Sequence, residues 1–254
     1  MGFFHSLFTG KSKEPDFPAL PDYSGLVTDI HSHLIPGIDD GVKDLEESLA
    51  MIRGLSELGF KKLITTPHIM SDFYRNTPDI IREGLDQVRE GIAREGLPVS
   101  IDAAAEYYLD EVLLKKIQTE KLLTIGGKYL LFEISYVNPP DNLYNVIFEM
   151  NIKGYKPILA HPERYPFYYQ KFEEYYKIKE AGALFQLNTN SLVGYYGVGA
   201  KKIAERMVDE KMIDFIGSDL HGIRHLEALQ KCVKEKFLAK LVNQGVLNGE
   251  VNVF

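Results

Sequence analysis

Seven short apolar or β-branched runs recur along the chain, at 26–30, 62–66, 99–104, 129–132, 157–160, 183–187 and 213–216, and a helix-like segment follows each. This alternation restricts a chain to βα units, and hence to a mainly parallel sheet or barrel. With 254 residues and 45% hydrophobic content, one substantial core is within reach. No internal repeat or low-complexity tract competes with that reading. The expected organisation is a flexible, proline-containing extension over 1–22, followed by one α/β domain over 23–254.

Local signals place the helices. Asp44 with Glu47 three residues later opens a stripe of Leu45, Leu49, Ile52, Leu55 and Leu58 that Gly59 closes. Thr77-Pro78 starts a second helix, which runs to about Glu95 and stops at Gly96-Leu97-Pro98. Asp110 caps a third, and Asp141 or Asn142 opens a fourth to about Lys153. Further helical segments fall at 170–181, 200–211 and 225–243.

The apolar runs lead to ionisable residues. His31 and His33, His68, Glu106, Glu133, His161, and Asp219 with His221 all lie at or just beyond strand ends, and they include five of the seven histidines. In a parallel barrel those ends share one mouth, where active sites are built. His31 and His33 are two residues apart, so an extended strand turns both to one side. The first loop adds Asp39-Asp40, either of which is a ligand candidate by position. Clustered carboxylates repel or take up protons unless cations offset them. Imidazole and carboxylate donors without thiolate suit Mn, Fe or Zn. The set is too large for one tetrahedral ion and points to two or three divalent ions sharing a carboxylate, an arrangement suited to phosphoryl transfer. Arg164 and Arg224, close in sequence to His161 and His221, add guanidinium forks that match a phosphate. Pro162-Glu163-Arg164 opens a turn whose N–H groups favour an anion.

The motifs HSHLIPGIDDG (31–41), TTPHI (65–69), AAEYYL (104–109), LLFEIS (130–135), ILAHPERY (158–165) and IGSDLH (216–221) follow one another in a recognisable order. The chain resembles the polymerase and histidinol phosphatase (PHP) superfamily. Within it, the chain is most similar to the bacterial manganese-dependent tyrosine-protein phosphatases of capsule and exopolysaccharide operons, the CpsB/YwqE type. The resemblance spans residue 26 to the last helix. It implies a distorted (β/α)7 TIM-like barrel with three metal ions, manganese foremost, and hydrolysis of phosphotyrosine by a metal-activated hydroxide. It assigns His31, His33, Asp40, His68, Glu106, Glu133, His161, Asp219 and His221 as metal ligands, with Glu133 bridging, and sets Arg164 and Arg224 on the phosphate. The implied partner is the tyrosine-rich tail of a membrane-associated tyrosine kinase that controls polysaccharide export.

Other features carry plainer readings. A net charge of −7 argues against a broad nucleic-acid surface. The single cysteine, Cys232, excludes an intramolecular disulfide, fits a reducing, cytoplasmic setting, and is read as packing. No apolar run approaches the ~18 residues of a membrane span. Met1-Gly2-Phe3-Phe4-His5-Ser6 matches the short N-myristoylation pattern, but the adopted reading is a plain extension. Tyr165, Tyr168 and Tyr169, with Tyr175 and Tyr176, are candidates for an aromatic wall, although tyrosines at helical spacing usually pack. Gly194-Tyr195-Tyr196-Gly197-Val198-Gly199 misses the dinucleotide-loop spacing and is read as a mobile loop near the mouth. His5 and His225 are read as surface residues. The helix surface over 43–58 leaves room for an oligomer. Two competing functions stand beside the phosphatase: a small-molecule phosphomonoesterase of the histidinol-phosphate type, and a metal-stabilised binding or regulatory protein.

Overall fold

Two of the expected strands stop at Thr65 and Ala103, and after Thr66-Pro67 and Ala104-Ala105 the chain resumes in further short strands. In the computed structural model, which describes residues 17–251, nine short strands form two parallel sheets. The first sheet has the order β1 (Thr28–Asp29), β2 (Lys62–Thr65), β4 (Ser100–Ala103). The second runs β3 (His68–Ile69), β5 (Glu106–Tyr108), β6 (Tyr129–Glu133), β7 (Lys156–Ala160), β8 (Leu184–Asn188), β9 (Phe215–Gly217). Pro67 has no N–H to give to a ladder, so β2 ends before it and the chain resumes as β3 in the other sheet. Ala104 N donates to Thr65 O and Glu106 N to Pro67 O, which carries the pairing across the break. At the other end, Ser32 forms a parallel bridge with Leu220, and Asp219 N donates to His31 O. The candidate myristoylation site, His5 and most of the expected extension lie outside the described residues.

Helices cover the outer faces, and their ends sit where the capping residues put them. Helix α1 (Leu45–Glu57) starts at Asp44, whose carboxylate accepts from Glu47 N at 2.9 Å, while Glu47 reaches back to Lys43 N. Helix α2 (Pro78–Glu95) is capped by Thr77 and closed by Gly96 in the left-handed region, φ 63°. Asp110 caps α3 (Glu111–Thr119). Next come α4 (Leu143–Ile152), α5 (Glu173–Glu180) and α6 (Val198–Asp209). The expected last helix is two, α7 (Ile223–Cys232) and α8 (Lys236–Gln244). No helix breaker separates them; Leu20 N donates to Val233 O from the far end of the chain, and Glu235 is extended there. Cys232 is buried at the end of α7 and donates to Thr189 O, a packing role in which burial pushes its thiol up to about 12.

Two apolar clusters result. The larger lies between sheets and helices. The smaller collects Ile30, Ile64, Ala104, Tyr129, Leu131, Ile158, Ala160 and Phe215, the opposite face of strands from both sheets. The ionisable residues sit above this second cluster.

Candidate metal centre

Strand alternation delivers most of the site. On β6, Tyr129 and Leu131 join the small apolar cluster, and Glu133 follows on the same face at the strand's end. On β7, Ile158 and Ala160 take that face, so regular extension would send residue 161 outward with Leu159. Instead His161 adopts φ 34°, ψ 56°, and its ring turns back to Glu106. Asp219 is likewise left-handed, φ 49°. Such backbone costs about 1–2 kcal/mol per non-glycine residue and collects at functional sites.

The donors converge around Glu106. Its Oε1 lies 3.0 Å from His161 Nε2, and its Oε2 lies 3.2 Å from both His31 Nε2 and His68 Nδ1. Asp219 Oδ1 is 3.4 Å from His31 Nε2 and 3.5 Å from His33 Nε2. Asp40 Oδ1 is 3.4 Å from both His68 Nε2 and His221 Nε2. Glu133 Oε1 is 3.3 Å from His68 Nδ1. Four overlapping groups have donor atoms mutually within 4.8 Å: His33/Asp40/His68/His221, His31/Glu106/His161, His31/His33/Asp219 and His68/Glu106/Glu133. This oxygen and imidazole set fits divalent ions of the Mn, Fe or Zn type. The carboxylate shared between groups is Glu106, whereas the resemblance had put Glu133 in the bridging place. Glu133 stands farther out, 3.3 Å from His68 Nδ1 and 3.9 Å from His161 Nε2.

The electrostatics mark a site built for cations. Burial, followed by the Glu106 charge beside it, pushes Glu133 up to about 8. Burial also works against Glu106, but the imidazoles of His31, His68 and His161 together hold it well below the usual carboxylate range. Burial and then Arg164 bring His161 down to about 4, which keeps its ring neutral and its lone pair available.

Outer partners orient the rings. His33 Nδ1 donates to Asp39 Oδ2 at 2.8 Å, so of the two neighbouring aspartates Asp40 faces the cluster and Asp39 stands behind a histidine. His31 Nδ1 donates to Gln186 Oε1 at 2.7 Å. Gln186 Nε2 donates to Asn188 Oδ1, and Asn188 Nδ2 donates to Asp219 Oδ2 at 2.6 Å. Each amide has one orientation compatible with its neighbours, so the chain fixes both the His31 tautomer and the Asp219 carboxylate. Behind these, buried Asp29 accepts from Ser218 N and Oγ. Sequence reasoning missed Gln186 and Asn188. The available signal was two amides alternating along an otherwise apolar, buried strand.

A cavity of about 710 Å³ opens over the cluster, within the range of ligand sites. Arg164 lies at its edge; its NH1 donates to Asp219 Oδ2 at 2.8 Å, and its guanidinium packs 4.1 Å from the Tyr196 ring and 4.9 Å from that of Tyr136. Arg224 is exposed at the start of α7 and does not line the cavity. Its neighbour His225, expected at the surface, lines the cavity beside Tyr195 and His221 because α7 turns that side of its first turn inward. The aromatic wall is also reassigned. Tyr165, Tyr168 and Tyr175 are buried packing residues, Tyr165 bonding Ala160 O and Ile134 N, and neither Tyr169 nor Tyr176 lines the cavity. Tyr74, Tyr136, Tyr195 and Tyr196 line it instead. The last two come from the glycine-bounded segment after β8.

Fold and site together define an α/β protein with a candidate multi-ion metal centre at the carboxyl ends of parallel strands. The chain belongs to the CpsB/CapC family of capsular polysaccharide synthesis, whose model matches residues 27–247. It is 30% identical over 197 residues to the tyrosine-protein phosphatase YwqE of Bacillus subtilis strain 168, covering 77% of this chain and 78% of that protein. It is 26% identical over 201 residues to the tyrosine-protein phosphatase CpsB of Streptococcus agalactiae serotype V, covering 77% and 83%. A crystal structure from work on YwqE of B. subtilis and CpsB of Streptococcus pneumoniae, described as metal-dependent tyrosine phosphatases, matches with a TM-score of 0.77 at 27% identity, over 89% of this chain and 96% of that one. A lactonase structure from Listeria monocytogenes, at 12% identity and a TM-score of 0.52, shares the fold alone, over 93% and 94% of the two chains.

Proposed function

We propose that this chain is a metal-dependent protein-tyrosine phosphatase that acts in the control of capsular or exopolysaccharide export. One observation carries the reading: nine imidazole and carboxylate donors cluster under an open cavity, seven of them lining it, with Arg164 and a tyrosine rim above them. A purely structural metal site needs no open cavity, which argues against the binding-protein alternative. The relatives named as tyrosine-protein phosphatases support the substrate class. The two sheets are taken as one distorted (β/α)7 barrel, supported by the Ser32–Leu220 bridge and by the small apolar cluster drawn from both sheets. The substrate is taken to be a phosphotyrosyl protein, the tyrosine-rich tail of a cytoplasm-facing kinase. Among the described residues no helix is long and apolar enough to cross a membrane.

His31, His33, Asp40, His68, Glu106, Glu133, His161, Asp219 and His221 would hold two or three divalent ions, manganese foremost. When bound, such ions polarise a phosphoryl group and lower the pKa of water. The protein's own groups do the positioning. Asp39 and Gln186 hold the rings of His33 and His31 with Nε2 toward the cavity. Arg164 spends one N–H on Asp219 and has further donors for phosphate oxygens. Tyr136 and Tyr196 flank its guanidinium plane and hold it in place. The apolar rim, with Val137 77% exposed, offers surface to an aromatic ring and an adjoining polypeptide.

The test is phosphate release from a phosphotyrosyl peptide by metal-stripped protein given Mn, Zn, Mg or nothing. Release restored by metal is expected. Arg164→Ala should lower it by about 10²–10³-fold with metal content intact. Unchanged turnover in that variant would remove the phosphate role, and a preference for histidinol phosphate over the peptide would move the substrate to a small molecule.

A further inference from the structure

A second, apolar cavity of about 240 Å³ adjoins the metal-lined one, and Met70 and Tyr108 line both. Its walls are the turn after β3 and the first turns of α3, including Ile69, Val112 and Leu113. It is smaller than a site for a drug-sized ligand and of the size of one or two side chains.

The walls are held apart by built contacts. Asp110 caps α3 through Oδ1, which accepts from Val112 N and Leu113 N, and its Oδ2 accepts from Ser71 N at 2.9 Å. One carboxylate thus ties the turn to the helix. Met70 and Tyr74 exchange both backbone hydrogen bonds across the turn. Asn76 donates to His68 O and Ile38 O. The Tyr74 ring stacks on His68 at 5.4 Å, so the turn that walls the second cavity also rests on a candidate metal ligand. Phe73, in this turn, is 75% exposed.

Position identifies the occupant. Tyr108 lies two residues beyond Glu106 on one face of β5, so the second cavity begins about 6.6 Å above the metal donors, two residues of extended chain. Any polypeptide whose phosphotyrosine reaches those donors must cross the rim. A side chain two or three residues away then meets this hole. Its polar lining is largely spent within the protein: Asn76 donates to two carbonyls, Thr77 caps α2 and the Asp110 charge takes up three N–H groups, which leaves an apolar interior beside the cations Arg75 and Lys116. We infer that the cleft between the 70–74 turn and α3 is a specificity subsite that takes one apolar side chain, preferably beside an acidic residue, from the polypeptide flanking the phosphotyrosine. This rests on the phosphatase reading and adds the sequence around the target tyrosine.

The experiment uses the manganese-loaded full chain, para-nitrophenyl phosphate as a small substrate, and phosphotyrosyl peptides of one length with Leu, Phe or Ala walked through the flanking positions. The wild-type protein should prefer an apolar residue at one position by about tenfold in kcat/KM, mostly through KM. Val112→Trp, which fills the cleft, should erase that preference and leave the small substrate within about twofold. Phe73→Ser should weaken it, and Val112→Ala should retain it. Turnover of the small substrate with no flank preference in the wild type overturns the subsite alone. A parallel fall on small substrate and peptides in both Val112→Trp and Phe73→Ser overturns it too, because the cleft would then be structural. No turnover of any phosphoester overturns the phosphatase reading and this inference with it.

Discussion

Strand β6 carries two environments on one face. Tyr129 and Leu131 end in an apolar layer, where Tyr129 meets the Phe215 ring edge-on at 5.1 Å. Glu133, two residues on, ends among His68, His161 and Glu106. The lower layer closes on itself, because apolar surface removed from water needs no specific partner. The upper layer is buried at His31, His33, Glu106, Glu133, His161 and Asp219 but consists of ionisable groups, and burying their charges costs free energy unless hydrogen bonds and counter-charges offset it. The comparison separates what holds the strands together from what they are there to present.

Four changes sharpen or break this contrast. Glu106→Gln removes the carboxylate shared by the donor groups. Turnover should drop on the order of 10³-fold, with less than full metal uptake by elemental analysis. Retained turnover and full uptake would return the bridging place to Glu133. Leu131→Ala, below it, should cost ~2–5 kcal/mol in denaturant unfolding, while the folded fraction keeps its metal stoichiometry. If metal content fell in step with stability, the two layers would not be separable. Gln186→Glu leaves the His31 acceptor but sets an oxygen against Asn188 Oδ1. Metal affinity should weaken by about 10–100-fold, and calorimetry that found no change would show that the amide relay does not position the donors. The smallest effect is expected from Glu133→Gln in metal-stripped protein. The folded pKa of Glu133, about 8, lies above its ordinary value, so the folded state binds the proton more tightly. Its burial therefore destabilises the protein increasingly as pH rises from about 4.5 to about 8. The variant should gain stability at pH 8 and show no gain at pH 4. An equal shift at both pH values would mean that the gain is not electrostatic.

Much of this molecule is local in origin. Asp44, Thr77, Asp110 and Gly96 mark helix ends because a cap involves only a few adjacent residues. The seven apolar runs, and donors such as Glu133 that end them, follow from period-two burial, whereas His161 and Asp219 depend on left-handed backbone. The structure groups those eight donors with Asp40 from the first loop. Pro67 also dictates a break by its missing N–H, where the expected strand ended.

Tertiary contact decided the rest. Nothing near His31 in sequence announces Gln186, 155 residues away, as its hydrogen-bond partner. Arg224 and His225 are adjacent, and the rotation of α7 alone points the histidine into the cavity and leaves the arginine in solvent. The expected last helix is interrupted at Val233, whose carbonyl accepts from Leu20 N across the chain. Tyr165 and Tyr196 look alike as letters, but one is sealed in packing and the other stands over Arg164. The sequence by itself determined which chemistry the strand ends would carry, because periodicity and capping act within a few residues. Which carboxylate is shared, which arginine reaches the mouth and which tyrosines form its rim are set by contacts between distant segments, and those exist only once the sheets and helices have packed together.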